Sequence, residues 1–309
     1  MVKRLAKLNV MIIVNLILLI NITYANSPTR IITLEHRYTE MVLSLGITPV
    51  GVADIGSYQL FDGIDAKKLD SVQSVGRRAA PSLEEISLLK PNLILGAKLR
   101  NQSTYPILSS IAPTVLFDYI EMPNNKINAL DEMLLEFKQI AKKTHKEAQA
   151  KVILNQYYKI LNQSKLKIEK LKASGKLKTD KIAIAQFLPG SPKIRLFTAD
   201  AVAIKALEEV GLKLAWNING GDSNLGYLTV SIQSLQNLSL LNFFYFNERS
   251  DDSQMEKTIH SPVWQIFPFV KNKLTYRMKT DTWPWGGPLA VADFVKQVVN
   301  DLEIKSLKS

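Results

Sequence analysis

The run Val75-Gly76-Arg77-Arg78-Ala79-Ala80-Pro81-Ser82-Leu83-Glu84-Glu85-Ile86 puts two cations on a glycine-led turn and two carboxylates in the first turn of a helix that starts at Ser82. A guanidinium on such a turn can offer two parallel N–H donors to clustered anionic oxygens. Carboxylates at a helix start complement its dipole and, where they face outward, can meet a basic protein surface. Two addresses follow: an anionic ligand for the cations and a basic protein partner for the carboxylates. The bland alternatives are an arginine that caps surface carbonyls and glutamates that serve only the helix.

Other chemistries lack their residues. There is no Gly-x-Ser-x-Gly elbow, no Walker loop, no Gly-x-Gly-x-x-Gly opening a helix and no His-Glu-x-x-His. The three histidines, His36, His145 and His260, are far apart, which argues against a histidine-rich metal site and against a nucleophile–base pair for hydrolysis. The chain has no cysteine, so disulfides, thiolate metal sites and a lipidated N-terminal cysteine are excluded.

These residues must be positioned by an alternation of strands and helices. Strand-like runs at 30–34, 49–53, 93–95 and 114–117 alternate with helical patterns at 39–45, 82–89 and 103–111, the signature of an open parallel α/β sheet. From Asn128 to Ala141 the pattern is an amphipathic helix. Thr144 and Glu147 have capping-box spacing for a second helix that runs to about Leu171 without Gly or Pro, roughly 40 Å in length. A second set follows, with strands at 181–186, 194–197, 241–246 and 273–277 and helices at 203–210, 263–267 and 290–302. The expected organisation is an N-terminal α/β lobe over 26–142, an interlobe helix over 143–173 and a C-terminal α/β lobe over 174–309. Ligands of such sheets bind beyond the carboxyl ends of the strands, here in the cleft between lobes.

Residues 1–25 read as a secretory signal peptide. Lys3, Arg4 and Lys7 precede an apolar core from Met11 to Ile22, and Thr23-Tyr24-Ala25 offers a cleavage site. Without those three cations the formal charge of +11 falls to +8. In an exported protein that balance suits a solvated lysine-rich surface or anionic ligands better than nucleic acid. The periplasm is the expected location.

The stretch from Val75 to Glu84, then Lys90-Pro-Asn-Leu-Ile-Leu95 and Tyr105-x-x-Leu-x-x-Ile-Ala-Pro-Thr114, resembles the periplasmic iron–siderophore-binding proteins of ABC importers, the ferric hydroxamate and ferric dicitrate binding protein family. Ile31-Ile-Thr-Leu-Glu35, Gly51-Val-Ala-Asp54, Thr229-Val-Ser-Ile232, Pro262-Val-Trp264 and Thr282-Trp-Pro-Trp-Gly286 extend the likeness through the chain. The resemblance implies a two-lobed periplasmic binding protein fold of the α/β class, with a long rigid interlobe helix. It implies a binding protein and not an enzyme, and no cofactor. The ligand is an iron–siderophore chelate, and its iron is held by the siderophore and not by protein metal ligands.

Carried over residue by residue, the resemblance puts Arg78 on the arginine that contacts the chelating oxygens. Arg100 falls where citrate-type relatives carry an arginine. Trp283 and Trp285 match an aromatic turn of the pocket, and His36 and Phe61 match further aromatic positions. Tyr227 lies in a loop that bears a pocket aromatic, although Leu225 is the nearest match there. Glu84 matches the first-lobe glutamate that docks on the inner-membrane ABC permease. The second-lobe counterpart is replaced by Gln233, which leaves Asp251 and Asp252 as candidate acids. The implied partners are a ferric siderophore and the permease, with the protein a monomer. Arg100 favours a citrate or hydroxycarboxylate chelate and the tryptophans a hydroxamate. If the same fold bound haem or a cobalamin instead, His36 or Tyr58 would be the axial metal ligand.

Overall fold

The computed structural model describes residues 30–61, 63–118, 127–216, 226–247, 253–279 and 283–307. The expected signal peptide, Leu225, Asp251 and Asp252 lie outside them. The first sheet is built from β1 (Ile31–Thr33), β2 (Gly51–Val52) and β3 (Gln73–Ser74), then β6 (Leu93–Ala97) and β7 (Thr114–Phe117). A small antiparallel ribbon, β4 (Gly76–Arg77) with β5 (Ala80–Pro81), stands apart from it. The sheet is parallel throughout, in the order β3-β2-β1-β6-β7. Its centre is apolar on both faces: Ile31, Leu93 and Leu95 enter one core cluster while Ile32 and Ile94 enter another, as the period of two requires. Helices α1 (His36–Ser44), α2 (Ile55–Phe61), α3 (Leu83–Leu88), α4 (Lys98–Asn101) and α5 (Tyr105–Ile111) cover it. Strand order reverses between β1 and β6. Chain connections leave the sheet in opposite directions there and open a crevice at the strands' carboxyl ends.

Helix α6 (Ala129–Lys143) leads to α7 (Glu147–Ala173), 27 residues long and therefore about 40 Å. The buried side chains of α7, Ala150, Ile153, Tyr157, Leu161, Ser164, Ile168 and Leu171, fall at steps of three and four and so line one face. That face belongs to a single apolar cluster which holds Ile31 and Leu95 of the first sheet as well as Ile182, Ile184 and Phe244 of the second. A close-packed core that continues from one lobe to the other along α7 resists bending. The capping box expected at Thr144 and Glu147 is not formed. The Thr144 hydroxyl donates instead to the carbonyls of Ile140 and Ala141 at 2.9 and 3.2 Å, ending α6, and the N-cap of α7 is Lys146 without a side-chain bond. A buried hydroxyl is better satisfied by the orphan carbonyls of the helix it ends.

The second sheet contains β8 (Lys181–Phe187), β9 (Lys193–Phe197), β10 (Lys213–Leu214), β11 (Tyr227–Ser231), β12 (Asn242–Asn247) and β13 (Thr275–Arg277) in the order β11-β9-β8-β12-β13, with β10 also paired to β8. It is mixed. The link from β8 to β9 is too short for a crossover, so those strands are antiparallel, and β11 adds antiparallel to β9. Helices α8 (Val202–Glu209), α9 (Ser253–Ile259), α10 (Pro262–Gln265), α11 (Pro268–Lys271) and α12 (Pro288–Ser306) complete the lobe. Among the described residues no helix is long and apolar enough to cross a membrane.

Candidate functional site

Glu35 follows β1 and Arg100 follows β6, so both stand at the point where strand order reverses. The Glu35 carboxylate is fully buried. It accepts a hydrogen bond from Arg78 Nη1 at 2.7 Å on one oxygen, and Arg100 Nη1 lies 2.9 Å from the other as an ion pair. Burial opposes ionisation of Glu35, yet Arg78 and then Arg100 overcome it and hold the carboxyl below its ordinary value. The Arg78 and Arg100 side chains keep 21% and 24% of their surface exposed, so each is anchored on Glu35 without being sealed from solvent.

Asp54, just past β2, supplies a second anchor. Its carboxylate accepts from the backbone N–H and the Nε of Arg78, both at 3.1 Å. Its backbone is left-handed, with φ of 51°, a conformation seldom adopted by residues other than glycine and found where surroundings enforce it. Gly76, at φ of 86°, makes the turn that brings Arg78 round. Asn101 is fully buried and closes the arrangement, accepting from Ala97 N–H at 3.1 Å and donating to the Arg78 carbonyl at 2.9 Å. Residues just past three strands thus hold Arg78, two by its guanidinium and one by its backbone carbonyl.

Next to Glu35 the arrangement turns aromatic. The His36 ring is buried between Tyr58 and Trp283, at 5.7 and 5.3 Å between centroids. Trp283 stacks on Phe61 at 6.1 Å and tilts against Trp285 at 5.1 Å, and Tyr227 meets Trp285 edge-on at 5.8 Å. Over Tyr227 lies the Arg195 guanidinium at 4.9 Å, with Nη1 donating to Gln186. An unbroken chain of contacts therefore runs from the arginines of the first lobe to the tryptophans of the second. Burial, and then the charge of Arg78, push His36 down to about 4, so its imidazole is neutral at pH 7. His36 Nδ1 and Trp283 Nε1 are buried without a hydrogen-bond partner.

All seven residues expected to line a ligand site, Arg78, Arg100, His36, Phe61, Trp283, Trp285 and Tyr227, meet in this one region. Tyr227 begins strand β11 and is not part of a loop. Arg100 lies on the short helix α4. Arg77 is exposed, and Glu84 is exposed on the first turn of α3, behind the Ser82 cap. Gln233 is exposed on a 3₁₀ turn. Tyr58 is buried and donates its hydroxyl to Ile64 at 2.7 Å, which withdraws it from any axial role on a metal. Among the described residues no group of histidines and carboxylates is placed to hold a metal ion. Glu35 and Asp54 end two of the sequence motifs, yet sequence alone assigns them no role. The available signal was their place, an acid directly after a short apolar strand at the sheet's binding edge.

The family model for periplasmic binding proteins matches residues 31–184. Among curated proteins, the chain is 29% identical to the iron(3+)-hydroxamate-binding protein FhuD of Escherichia coli, over 89% of this chain and 88% of that one. It is 28% identical to the Fe(3+)-citrate-binding protein YfmC of Bacillus subtilis, over 84% and 76%. Among solved structures, the siderophore-binding protein FhuD of Vibrio cholerae with bound Fe3+–Desferal superposes with a TM-score of 0.76 at 26% identity, covering 89% of this chain and 98% of that one. Staphylococcus aureus SirA complexed with staphyloferrin B superposes at 0.69 and 26% identity, covering 90% and 94%. With its two lobes, long connecting helix and cleft at the switch point, the chain belongs to the periplasmic binding protein family, and the relatives it resembles there are siderophore and ferric citrate binders.

Proposed function

We propose that the protein captures a ferric siderophore in the interlobe cleft, outside the cytoplasmic membrane, and delivers it to an ABC permease. The observation that carries this reading is the anchored pair Arg78 and Arg100 beside a continuous run of aromatic rings that both lobes contribute. A ferric chelate has two such sides, iron-bound oxygens rich in negative charge and an organic frame. The role is binding without chemistry. Both hydroxamate and citrate binders are among the relatives, and the site's charge balance favours the former. Arg78 and Arg100 are matched by Glu35 and Asp54, so the pair brings direction to its hydrogen bonds and little net charge. That balance suits a ferric trishydroxamate of low net charge better than a carboxylate-rich or trianionic triscatecholate chelate. The preference for carboxylates expected from Arg100 alone loses its basis once Glu35 is counted. Trp283 Nε1 is a spare donor for a chelate oxygen; a buried donor left unpaired costs about 1–3 kcal/mol.

The test is titration of the mature protein with ferric desferrioxamine, ferric citrate and a ferric triscatecholate, followed by tryptophan quenching. The expected order is hydroxamate first and catecholate last. Binding of none of the three overturns the reading, and tightest binding of the catecholate overturns the charge argument. For delivery, the exposed Glu84 is the first-lobe contact for the permease.

A further inference from the structure

Helix α12 begins at Gly287-Pro288, and Gly287 has no side chain with which to cap it. Its first N–H groups are nonetheless satisfied, and by the opposite lobe. The fully buried carboxylate of Glu40, on α1, accepts from Gly287 N–H with one oxygen and from Leu289 and Ala290 N–H at 2.9 and 3.2 Å with the other. One turn earlier on α1 stands Arg37, also fully buried, whose Nε donates to the Trp285 carbonyl at 3.1 Å and whose Nη1 pairs with Glu136 at 3.2 Å. Tyr38 donates to the second Glu136 oxygen at 3.2 Å. The glycines of this turn are what let it sit so close. A Cβ at Gly286 or Gly287 would come within 2.9 or 2.8 Å of Glu40 Oε2.

The segment gripped in this way is the one that bears Trp283 and Trp285. The same helix α1 starts at Glu35 and His36, which hold the arginines and touch Trp283. We propose that Glu40 and Arg37 are positioning residues: they fix the Trp283–Trp285 turn over the arginine pair, so that ligand affinity depends on two side chains that never reach the ligand. This rests on the siderophore reading for its affinity consequence but not for its geometry. A tether made of a helix-end cap and a buried guanidinium is directional, and directional contacts set the orientation of the indoles where apolar packing alone would allow them to slide. Burial pushes the Glu40 carboxyl up to about 7, against the opposing hydrogen bonds and Arg37, which marks how completely this tether is shut off from water.

The experiment uses the mature protein labelled with 5-fluorotryptophan, its four indole resonances assigned by Trp→Phe variants, and compares wild type with Glu40→Gln and Arg37→Lys. Glutamine keeps the size of Glu40 but turns a donor toward the α12 N–H groups. Expected are displaced or broadened Trp283 and Trp285 resonances without ligand, unmoved Trp216 and Trp264 resonances, and about a tenfold weaker affinity for ferric desferrioxamine. Unmoved Trp283 and Trp285 resonances in both folded variants overturn the proposal. So does equal movement of all four, which is the mark of general loosening, and so does unchanged affinity despite displaced indoles. A wild type that binds no chelate overturns the siderophore reading instead, while the resonances still decide the positioning.

Discussion

The arginine half of the cleft is braced from within its own lobe, whereas the aromatic half is braced from the lobe across. Arg78 and Arg100 are held by Glu35, Asp54 and Asn101, which come from neighbouring strand ends of one sheet. Trp285 and the start of α12 are held by Arg37 and Glu40, and the Glu40–Gly287 bond joins residues 247 positions apart. The first arrangement is local to a fold that any parallel sheet with this strand order provides. The second exists only when both lobes are in place. It converts a preference for separate lobes into a fixed relation between a polar floor and an aromatic wall. Together with the core that runs along α7, it opposes wide hinge closure of the lobes.

The largest effect should come from the residue on which the polar half converges. In Glu35→Ala, two guanidinium groups lose their common counter-charge. Breaking a buried pair costs about 3–5 kcal/mol, and the partial exposure of Arg78 and Arg100 puts this case near roughly 3. Urea unfolding measures that loss, and ferric desferrioxamine binding should vanish because neither arginine retains its aim. A Glu35→Ala protein that melts and binds like wild type would show that Asp54 and Asn101 suffice, and the polar half would not be centred on Glu35.

Two buried groups of α1, His36 and Glu40, titrate in opposite senses. His36, at about 4 when folded against 6.5 when unfolded, contributes stability that is present above pH 6.5 and lost as pH falls toward 4. Glu40, at about 7 against 4.5, does the reverse: full stability below pH 4.5, lost as pH rises to 7. Each amounts to roughly 3 kcal/mol, since every tenfold change in proton affinity is worth about 1.4 kcal/mol, and over the shared window they largely cancel. Glu40→Gln should therefore expose a protein that weakens on acidification from pH 6.5. His36→Gln should expose one that weakens as pH rises from 4.5. Denaturant melts of both variants across that range check the signs, and parallel slopes would break the contrast between the two groups.

Much of this was legible from the residues, and the failures share one cause. The cations at Arg77 and Arg78 stand out locally because they sit on a glycine-led turn, whereas Trp283 and His36 become legible only through the family resemblance. Glu35, Asp54, Arg37 and Glu40 stand out by neither route, since an acid or arginine within an apolar helix start shows no function until its partner arrives from another segment. Thr144 failed for the same reason in miniature. Its spacing to Glu147 fits a capping box, but the preceding helix offered two carbonyls and won the hydroxyl. The second sheet's antiparallel strands were hidden because alternation of element types does not report strand direction.

A smaller contrast concerns how each half contributes to affinity. Trp283 touches His36, Phe61 and Trp285, and an aromatic pair is worth about 0.5–1.5 kcal/mol beyond its buried area. Trp283→Ala should lower affinity for ferric desferrioxamine about tenfold, and Arg78→Ala by a similar factor through loss of a charge-assisted bond. The two should differ across ligands. In calorimetric titrations, Trp283→Ala should spare ferric citrate, which has no extended organic frame, whereas Arg78→Ala should weaken both. Equal losses on both chelates in both variants would show that the polar and aromatic halves do not divide the ligand between them.

The smallest effect on the molecule itself should come from Glu84, which faces away from all of these contacts. It shares the first turn of the six-residue helix α3 with Glu85, behind the Ser82 cap, so its removal leaves one acid and one cap in place. A first-turn carboxylate is worth at most about 1 kcal/mol at an exposed position, and Glu84→Ala should fall below that in a thermal melt. Chelate affinity should not change, because no described contact leads from Glu84 to the cleft. What should fall is uptake of the ferric chelate by cells that depend on this protein, since the exposed carboxylate is then missing from the permease encounter. Opposite-charge contacts at such rims act mainly on the association rate, so the deficit should be greatest at low ionic strength. Undiminished uptake by Glu84→Ala would leave the α3 acids with the helix dipole as their only employment and would move the search for the docking surface elsewhere on the cleft rim.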